Sequence, residues 1–312
     1  MSSLRTVLAG VILESPLVLA SGVLGLTASS LARIASAGAG AVTTKSFGTE
    51  PRAGHKGPSV VPYPQGILNC VGLSNPGADA MIREIRAYRA LSSAPVIASV
   101  FGRTVEEFGD VTARAREAVP DLIEANVSCP NVAAEFGAPF GADFESCAAV
   151  TRAVKRNAGP IPVAVKLTVN CPGIGRMARV CEENGADIIT AVNTIGPGML
   201  IATEVCRPVL SNLVGGVSGP AIFPVALRAV WEVRAHTALP IIGTGGVCTA
   251  DDALQMLMAG ATAVGVGSAV YHGGIDVFQN INGGVEAFLA ERGLSSPASL
   301  IGSAHAAGRN ER

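Results

Sequence analysis

Eight short apolar, β-branched runs recur along the chain, and they constrain its architecture more than any other feature. They are "LVLAS" from Leu17, "AVTTKS" from Ala41, "VIASV" from Val96, "LIEANVS" from Leu122, "VAVKL" from Val163, "IITAVNT" from Ile188, "PIIGTGG" from Pro240 and "AVGVGS" from Ala263. Runs of this length suit parallel strands covered on both faces. Helical patterns lie between them: "TASSLARIASAGA", "TVEEFGDVTARARE", "DFESCAAVTRAVKRNA", "GRMARVCEENGA", "FPVALRAVWEVRAHT" and "TADDALQMLMAGA". Several end in glycine, as a helix C-cap should, and Thr249 is placed as an N-cap. Eight strands alternating with helices predict an α/β fold, a TIM (β/α)8 barrel, with a doubly wound open sheet as the competitor. No linker-like composition splits residues 1–312, so a single domain is expected. The opening "RTVLAGVILESPLVLASG" predicts an N-terminal β-hairpin turning at "ESP". Glu14 and Pro16 interrupt its apolar run, which is too short for a bilayer span and unlike a signal peptide. The polar C-terminal "ASLIGSAHAAGRNER" reads as frayed.

Composition narrows the function classes. Of 312 residues, 49 % are apolar and only 15 % charged, so much of the chain must be buried. A net charge of −1 with no Lys/Arg run argues against nucleic acid or an anionic membrane as partner. The seven cysteines show no CxxC spacing, which reads as reduced thiols of a cytoplasmic protein and not as disulfides, a zinc site or a cluster. The four histidines are scattered, and no metal site is expected.

Three connections after strands carry insertions: Phe47–Gly77, Cys129–Asp143 and Ile195–Pro220. In a barrel such loops emerge on the C-terminal face, where active sites are built. Structureless loops of this length are uncommon unless functional. Ser21, Lys45, Ser46, Ser99, Asn126, Lys166, Asn193 and Thr194 stand at strand ends beside them. One lysine or asparagine there is ordinary surface or turn chemistry; two lysines and several amides at the same end of different strands are a site. The last two strands end in "GTGGV" (Gly243–Val247) and "GVGSA" (Gly265–Ala269), the paired glycine turns with which a barrel grips a phosphate. Nothing matches a dinucleotide-binding GxGxxG or a P-loop.

The stretches "TTKSFGTEPRAG", "GILNCVGLSNPG", "ANVSCPNV", "VAVKLTVN", "AVNTIGPGM", "GGVSGPAIFPVALR" and "IIGTGGV" resemble, in order and spacing from Ser15 to Gly274, the class 1 dihydroorotate dehydrogenases. "APFGADFESCAAVTRAVK" and "RPVLSNLVGGVSGPAI" are most similar to the class 1B branch, whose catalytic barrel carries FMN. Class 1A shares the barrel and the cysteine but differs in these stretches. The membrane-bound class 2 uses serine and an N-terminal helical anchor, neither of which is expected here. The resemblance implies oxidation of dihydroorotate to orotate in pyrimidine biosynthesis, with Cys129 as the base. A free thiol titrates near ~8.5, so a modest thiolate fraction is available at neutral pH. Cys129 sits in a polar loop, whereas Cys147, Cys181 and Cys206 lie in helical or apolar patterns that suit small buried hydrophobes. Cys70 has no assigned role.

The resemblance further implies that Lys45, Asn69, Asn126, Asn131, Asn193 and Thr194 contact the substrate, with the backbone of Val71, Gly72 and Leu73 at its carboxylate. Asparagine complements a pyrimidine edge because it both donates and accepts. Ala20, Ser21, Gly22, Lys45, Ser46, Asn126 and Lys166 would contact the flavin. Gly245, Gly246, Gly267 and Ser268 would hold its phosphate, with Gly219 nearby. Ser99 stands where relatives often place an asparagine near the flavin. A homodimer is expected, together with an iron–sulfur flavoprotein subunit carrying FAD and a 2Fe–2S cluster. The alternatives are a dihydropyrimidine dehydrogenase-type FMN barrel and a non-catalytic flavin or phospho-ligand binding barrel.

Overall fold

The computed structural model describes residues 3–128 and 139–307. All eight runs form strands: β1 (Leu17–Leu19), β2 (Ala41–Thr43), β3 (Val96–Val100), β4 (Leu122–Asn126), β5 (Val163–Leu167), β6 (Ile188–Ala191), β7 (Ile241–Thr244) and β8 (Ala263–Val266). Each pairs in parallel with its neighbour in sequence, and β8 returns to β1 with Val264 opposite Leu17, closing the barrel and excluding the open sheet. Among the described residues eight helices of nine residues or more follow the strands: α1 (Ala28–Ser36), α2 (Ala78–Leu91), α3 (Val105–Arg116), α4 (Phe144–Ala158), α5 (Ile174–Glu183), α6 (Phe223–His236), α7 (Ala250–Ala259) and α8 (Val277–Glu291), with short helices at Ala269–Gly273 and Ser303–Ala307. Two of these, α2 and α8, had no place among the six helical patterns; one follows the long first insertion and the other carries Gly283–Gly284 in its middle. Local chemistry starts the helices. Thr27, Thr104 and Asp143 each accept from the backbone N–H three residues on, and Thr249 forms a full capping box with Asp252. Among the described residues no helix is long and apolar enough to cross a membrane.

The strand period of two sorts each strand between a core outside the barrel and a core within it. Outward residues such as Leu17, Leu19, Val42, Val96, Val163 and Val165 pack against the helices. Inside, one residue from every strand forms a single apolar layer: Val18, Ala41, Ile97, Leu122, Ala164, Ile188, Ile242 and Ala263. Leu8 and Leu13 join that layer and are fully buried. They come from the N-terminal hairpin, Thr6–Leu8 paired antiparallel with Val11–Leu13. The hairpin turns at Ala9 and Gly10, not at "ESP". Both residues have positive φ (48° and 86°), the geometry of a tight two-residue turn, and "ESP" instead links the hairpin to β1.

Two insertions are structured. Strands Val60–Tyr63 and Gly66–Asn69 from the first pair with Gly215–Ser218 and Ile195–Gly198 from the third, giving one four-stranded antiparallel sheet. Leu68, Cys70 and Leu210 form its small core, which gives Cys70 a packing role. The C-terminal segment is not frayed as far as Ala307. Gly302 N–H donates to the Leu257 carbonyl at 2.9 Å, and the His305 ring stacks on Trp231 at 3.6 Å.

Candidate active site

One step further along the inner face the strand residues turn polar. Two residues beyond the apolar layer stand Thr43, Ser99, Glu124, Lys166, Thr190 and Thr244, with Ala20 and Gly265 completing the ring. Above this ring a cavity of about 420 Å³ opens at the C-terminal end of the barrel. The ends of β1 and β2 supply Ala20, Ser21, Gly22, Lys45 and Ser46 to its wall, and β4 to β6 supply Asn126, Lys166, Asn193 and Thr194. The insertion sheet contributes Asn69 and the turn Val71–Gly72–Leu73, while β7 and β8 contribute Gly245, Gly246, Gly267 and Ser268. Residues scattered over about 250 positions therefore face one space.

Hydrogen bonds order the amides. Asn126 Nδ2 donates to Ser46 Oγ at 3.1 Å. Asn193 Nδ2 donates to Ser128 Oγ at 2.9 Å and to Asn126 Oδ1 at 3.3 Å, and its own Oδ1 accepts from Thr194 N–H at 2.8 Å. Asn69 Nδ2 donates to the Gly216 carbonyl at 3.3 Å, tying it to the neighbouring strand of the insertion sheet. The Val71–Leu73 turn has positive φ at Gly72 (70°) and Leu73 (56°). It is held from behind, with Arg52 Nε donating to the Gly72 carbonyl at 2.8 Å and buried Asn75 donating to the Leu73 carbonyl at 2.8 Å.

Lys166 is the unusual group. Its side chain is only 5 % exposed and lines the cavity, yet it has no hydrogen-bond or ion-pair partner among the described residues. Its ammonium opens into the cavity, where an anionic group could meet it.

The glycine turns also leave donors free. Among the described residues the N–H groups of Gly246, Val247, Gly267 and Ser268 have no hydrogen-bond partner, and all four line the cavity. Gly246 has φ +79°, and a Cβ there would lie 2.8 Å from both the Gly219 carbonyl oxygen and Phe223 N. The glycine is thus demanded by the chain behind it, not only by room for a phosphate. Gly219 itself does not line the cavity; it turns the chain from Gly215–Ser218 into the short helix Pro220–Ile222. Ser99 is also absent from the wall. It is fully buried one layer down, its Oγ 2.9 Å from Ser46 Oγ, because its inward position on β3 lies below the cavity floor.

Cys129 and Asn131 lie outside the described residues. Cys147 and Cys181 are buried as expected, with Sγ atoms 3.5 Å apart, and the contact with Cys181, then burial, raises the Cys147 thiol well above its ordinary value. Cys206 departs from its expected burial: it is exposed, at a turn with φ 52°. The sequence reading missed Glu124 and Thr190, and the apolar rim residues Leu24 and Tyr271. For Glu124 the signal was present, since Leu122, Glu124, Asn126 and Ser128 fall on one face of an otherwise apolar run.

Comparison with known proteins adds a second line of evidence. A family model described as dihydroorotate dehydrogenase matches residues 3–289. Dihydroorotate dehydrogenase B (NAD+), catalytic subunit, of Methanothermobacter thermautotrophicus is 45 % identical over 302 residues, covering 97 % of this chain and 98 % of that protein. The proteins of the same description from Methanosarcina acetivorans and Pyrococcus horikoshii are 44 % and 42 % identical, each over 299 residues and 96 % of this chain, covering 95 % and 97 % of the relative.

Proposed function

This chain belongs to the dihydroorotate dehydrogenase family, and on that premise we propose that its cavity oxidises dihydroorotate to orotate for pyrimidine biosynthesis, as the catalytic subunit of a class 1B, NAD-linked enzyme. The observation that carries the reading is Lys166: a largely buried cation near the end of β5, unpartnered among the described residues, sharing the cavity wall with ordered asparagine amides and four backbone N–H groups without a partner among those residues.

The residues present fit FMN. The free N–H groups of the β7 and β8 turns suit its phosphate, and Lys166 suits a ring edge that becomes anionic on reduction. Ala20, Ser21, Gly22, Lys45, Ser46 and Asn126 would line the remainder. When bound, FMN supplies the acceptor for the substrate's C6 hydride. The chain's own residues do the rest. Asn69, Asn126, Asn193 and Thr194 offer donors and acceptors to the flat pyrimidine edge, with Asn131 and Lys45 as further contacts. The Val71–Leu73 turn presents backbone to the substrate carboxylate. Cys129 would take the C5 proton, so Cys129→Ser should keep its flavin while reduction slows by orders of magnitude.

Electrons must then leave. The relatives are named as catalytic subunits of an NAD+ enzyme, which supports a separate partner subunit, expected to carry FAD and a 2Fe–2S cluster. A homodimeric core and cytoplasmic residence belong to the same proposal.

Anaerobic titration of the FMN-loaded chain tests it. Dihydroorotate should bleach the flavin spectrum, NAD reduction should be negligible, and adding the partner subunit should restore it. Bleaching by dihydrouracil alone would favour the dihydropyrimidine dehydrogenase-type alternative, and bleaching by neither a binding barrel. Rapid turnover with fumarate would move the chain to class 1A.

A further inference from the structure

Beneath the cavity a line of hydrogen bonds runs from Glu124 to the substrate amides, and we infer that Glu124 is a positioning residue that helps lock the way those amides face. The inference rests on the substrate reading of the cavity given above.

Glu124 is 2 % exposed, on the inner face of β4 one layer below Asn126. Ser99 Oγ donates to its Oε1 at 3.1 Å and Thr190 Oγ1 donates to its Oε2 at 3.0 Å. Among the described residues no ion pair satisfies it, and the other buried charged side chain is Lys166, of opposite sign and also on the inner face. A carboxylate only accepts, and a hydroxyl has a single proton to give. These two facts orient the whole line. The Ser99 proton is committed to Glu124 and the Ser21 proton to the Thr44 carbonyl, so toward Ser99 at 2.9 Å and Ser21 at 3.1 Å Ser46 can only donate. With its proton committed, Ser46 Oγ can only accept from Asn126 at 3.1 Å, so the Asn126 atom facing it must be Nδ2. Asn126 Oδ1 then faces the opposite way, where it accepts from Ser128 Oγ at 3.2 Å and from Asn193 Nδ2 at 3.3 Å. Asn193 is held the same way by its own neighbour, its Oδ1 accepting from Thr194 N–H. Glu124, which lies outside the cavity wall, thus holds from below the same donor and acceptor pattern that the Ser128 N–H, 3.4 Å from Asn126 Oδ1, and the Thr194 N–H hold from the side.

An asparagine amide turned over presents a donor where the ligand offers a donor, and a mismatched pair leaves buried groups unmet. Glu124→Gln keeps the shape but can offer its oxygen to only one of Ser99 and Thr190 and an N–H to the other, so one link must reverse. Ser99→Ala cuts the line without altering the cavity wall.

The experiment uses the FMN-loaded chain, with orotate binding followed by perturbation of the oxidised flavin spectrum. Wild type should bind orotate. Glu124→Gln and Ser99→Ala should each weaken binding about tenfold and raise the KM for dihydroorotate, with the ratio of flavin to protein unchanged, since the phosphate turns lie on other strands. The double variant should bind no more weakly than the worse single variant, because both changes act on one line. A role in stability alone would lower the melting temperature and leave orotate affinity alone. Wild-type affinity in Ser99→Ala overturns the inference, since that variant removes the link however the amide of Glu124→Gln turns. Should Glu124→Gln fail to hold FMN, Ser99→Ala decides: wild-type affinity there overturns the inference, and a tenfold loss supports it. A wild-type protein that does not bind orotate overturns the substrate reading and this inference together.

Discussion

The two ends of the barrel are built from the same eight strands and do opposite work. At the N-terminal end, one apolar side chain from each strand meets Leu8 and Leu13 of the hairpin in a closed, dry layer. Two residues along the same inner faces stand Ser99, Glu124 and Thr190, buried beneath the cavity, and Lys166, which opens into it. A shift of one pleat therefore separates packing from chemistry. The difference shows how a short strand serves both: its stability is placed at one height and its costly buried polar groups at another, where hydrogen bonds or a ligand can meet them.

Changes at either height should separate the two roles. The largest effect is expected at the open end. Lys166→Met should slow flavin reduction by dihydroorotate about 10²–10³-fold, the scale seen when one preorganised electrostatic group is lost. It should not lower thermal stability, because it removes an unpaired buried charge. Stopped-flow reduction beside a melting curve makes the check; a variant with normal reduction would break the comparison. At the closed end Leu13→Ala should do the reverse, costing about 3 kcal/mol by cavity formation in denaturant unfolding while leaving the reduction rate of folded protein unchanged.

A smaller effect is expected where the two roles meet. Gly246→Ala should cost ~1–3 kcal/mol, since φ +79° disfavours a side chain and its Cβ would press on Gly219 and Phe223. It should also reduce flavin content, read as absorbance per protein, because the turn that carries the free N–H groups must shift.

The smallest effect concerns Cys248, just beyond that turn. Burial, and then the nearby Asp252 carboxylate, push its thiol up to about 11. The neutral thiol is favoured by folding, so its contribution is fully present below the ordinary thiol range and is lost as pH rises toward 11. The melting temperature should fall over that window, and the fall should be shallower in Cys248→Ala.

Much of this was legible in the residues. The eight runs became the eight barrel strands, and Thr249 capped its helix, because strand burial and capping are local chemistry. The "NVSCPNV" and "GLSNPG" segments carried the family resemblance, and every site residue expected from it within the described chain lines the cavity except Ser99 and Gly219. Other features were not legible. The hairpin was expected to turn at "ESP" and turns at Ala9–Gly10, since Ala-Gly is a weak turn signal until the strands pair. The C-terminal segment was expected to fray; its anchors, Trp231 and Leu257, lie on α6 and α7, far away in sequence.

The sequence by itself determined the strand and helix alternation, the barrel and the residue types able to hold a flavin and a pyrimidine, because each follows from side-chain pattern and composition. Only the tertiary structure decided that two long insertions pair into one sheet above the cavity. It alone put Ser99 beneath Ser46 rather than in the wall, and brought Glu124, Ser99, Ser46, Asn126 and Asn193 into one line of hydrogen bonds. These are contacts between residues from four different strands. A hydrogen bond depends on distance and direction to within a fraction of an ångström, and for residues so far apart in the chain only barrel closure and strand register set that geometry.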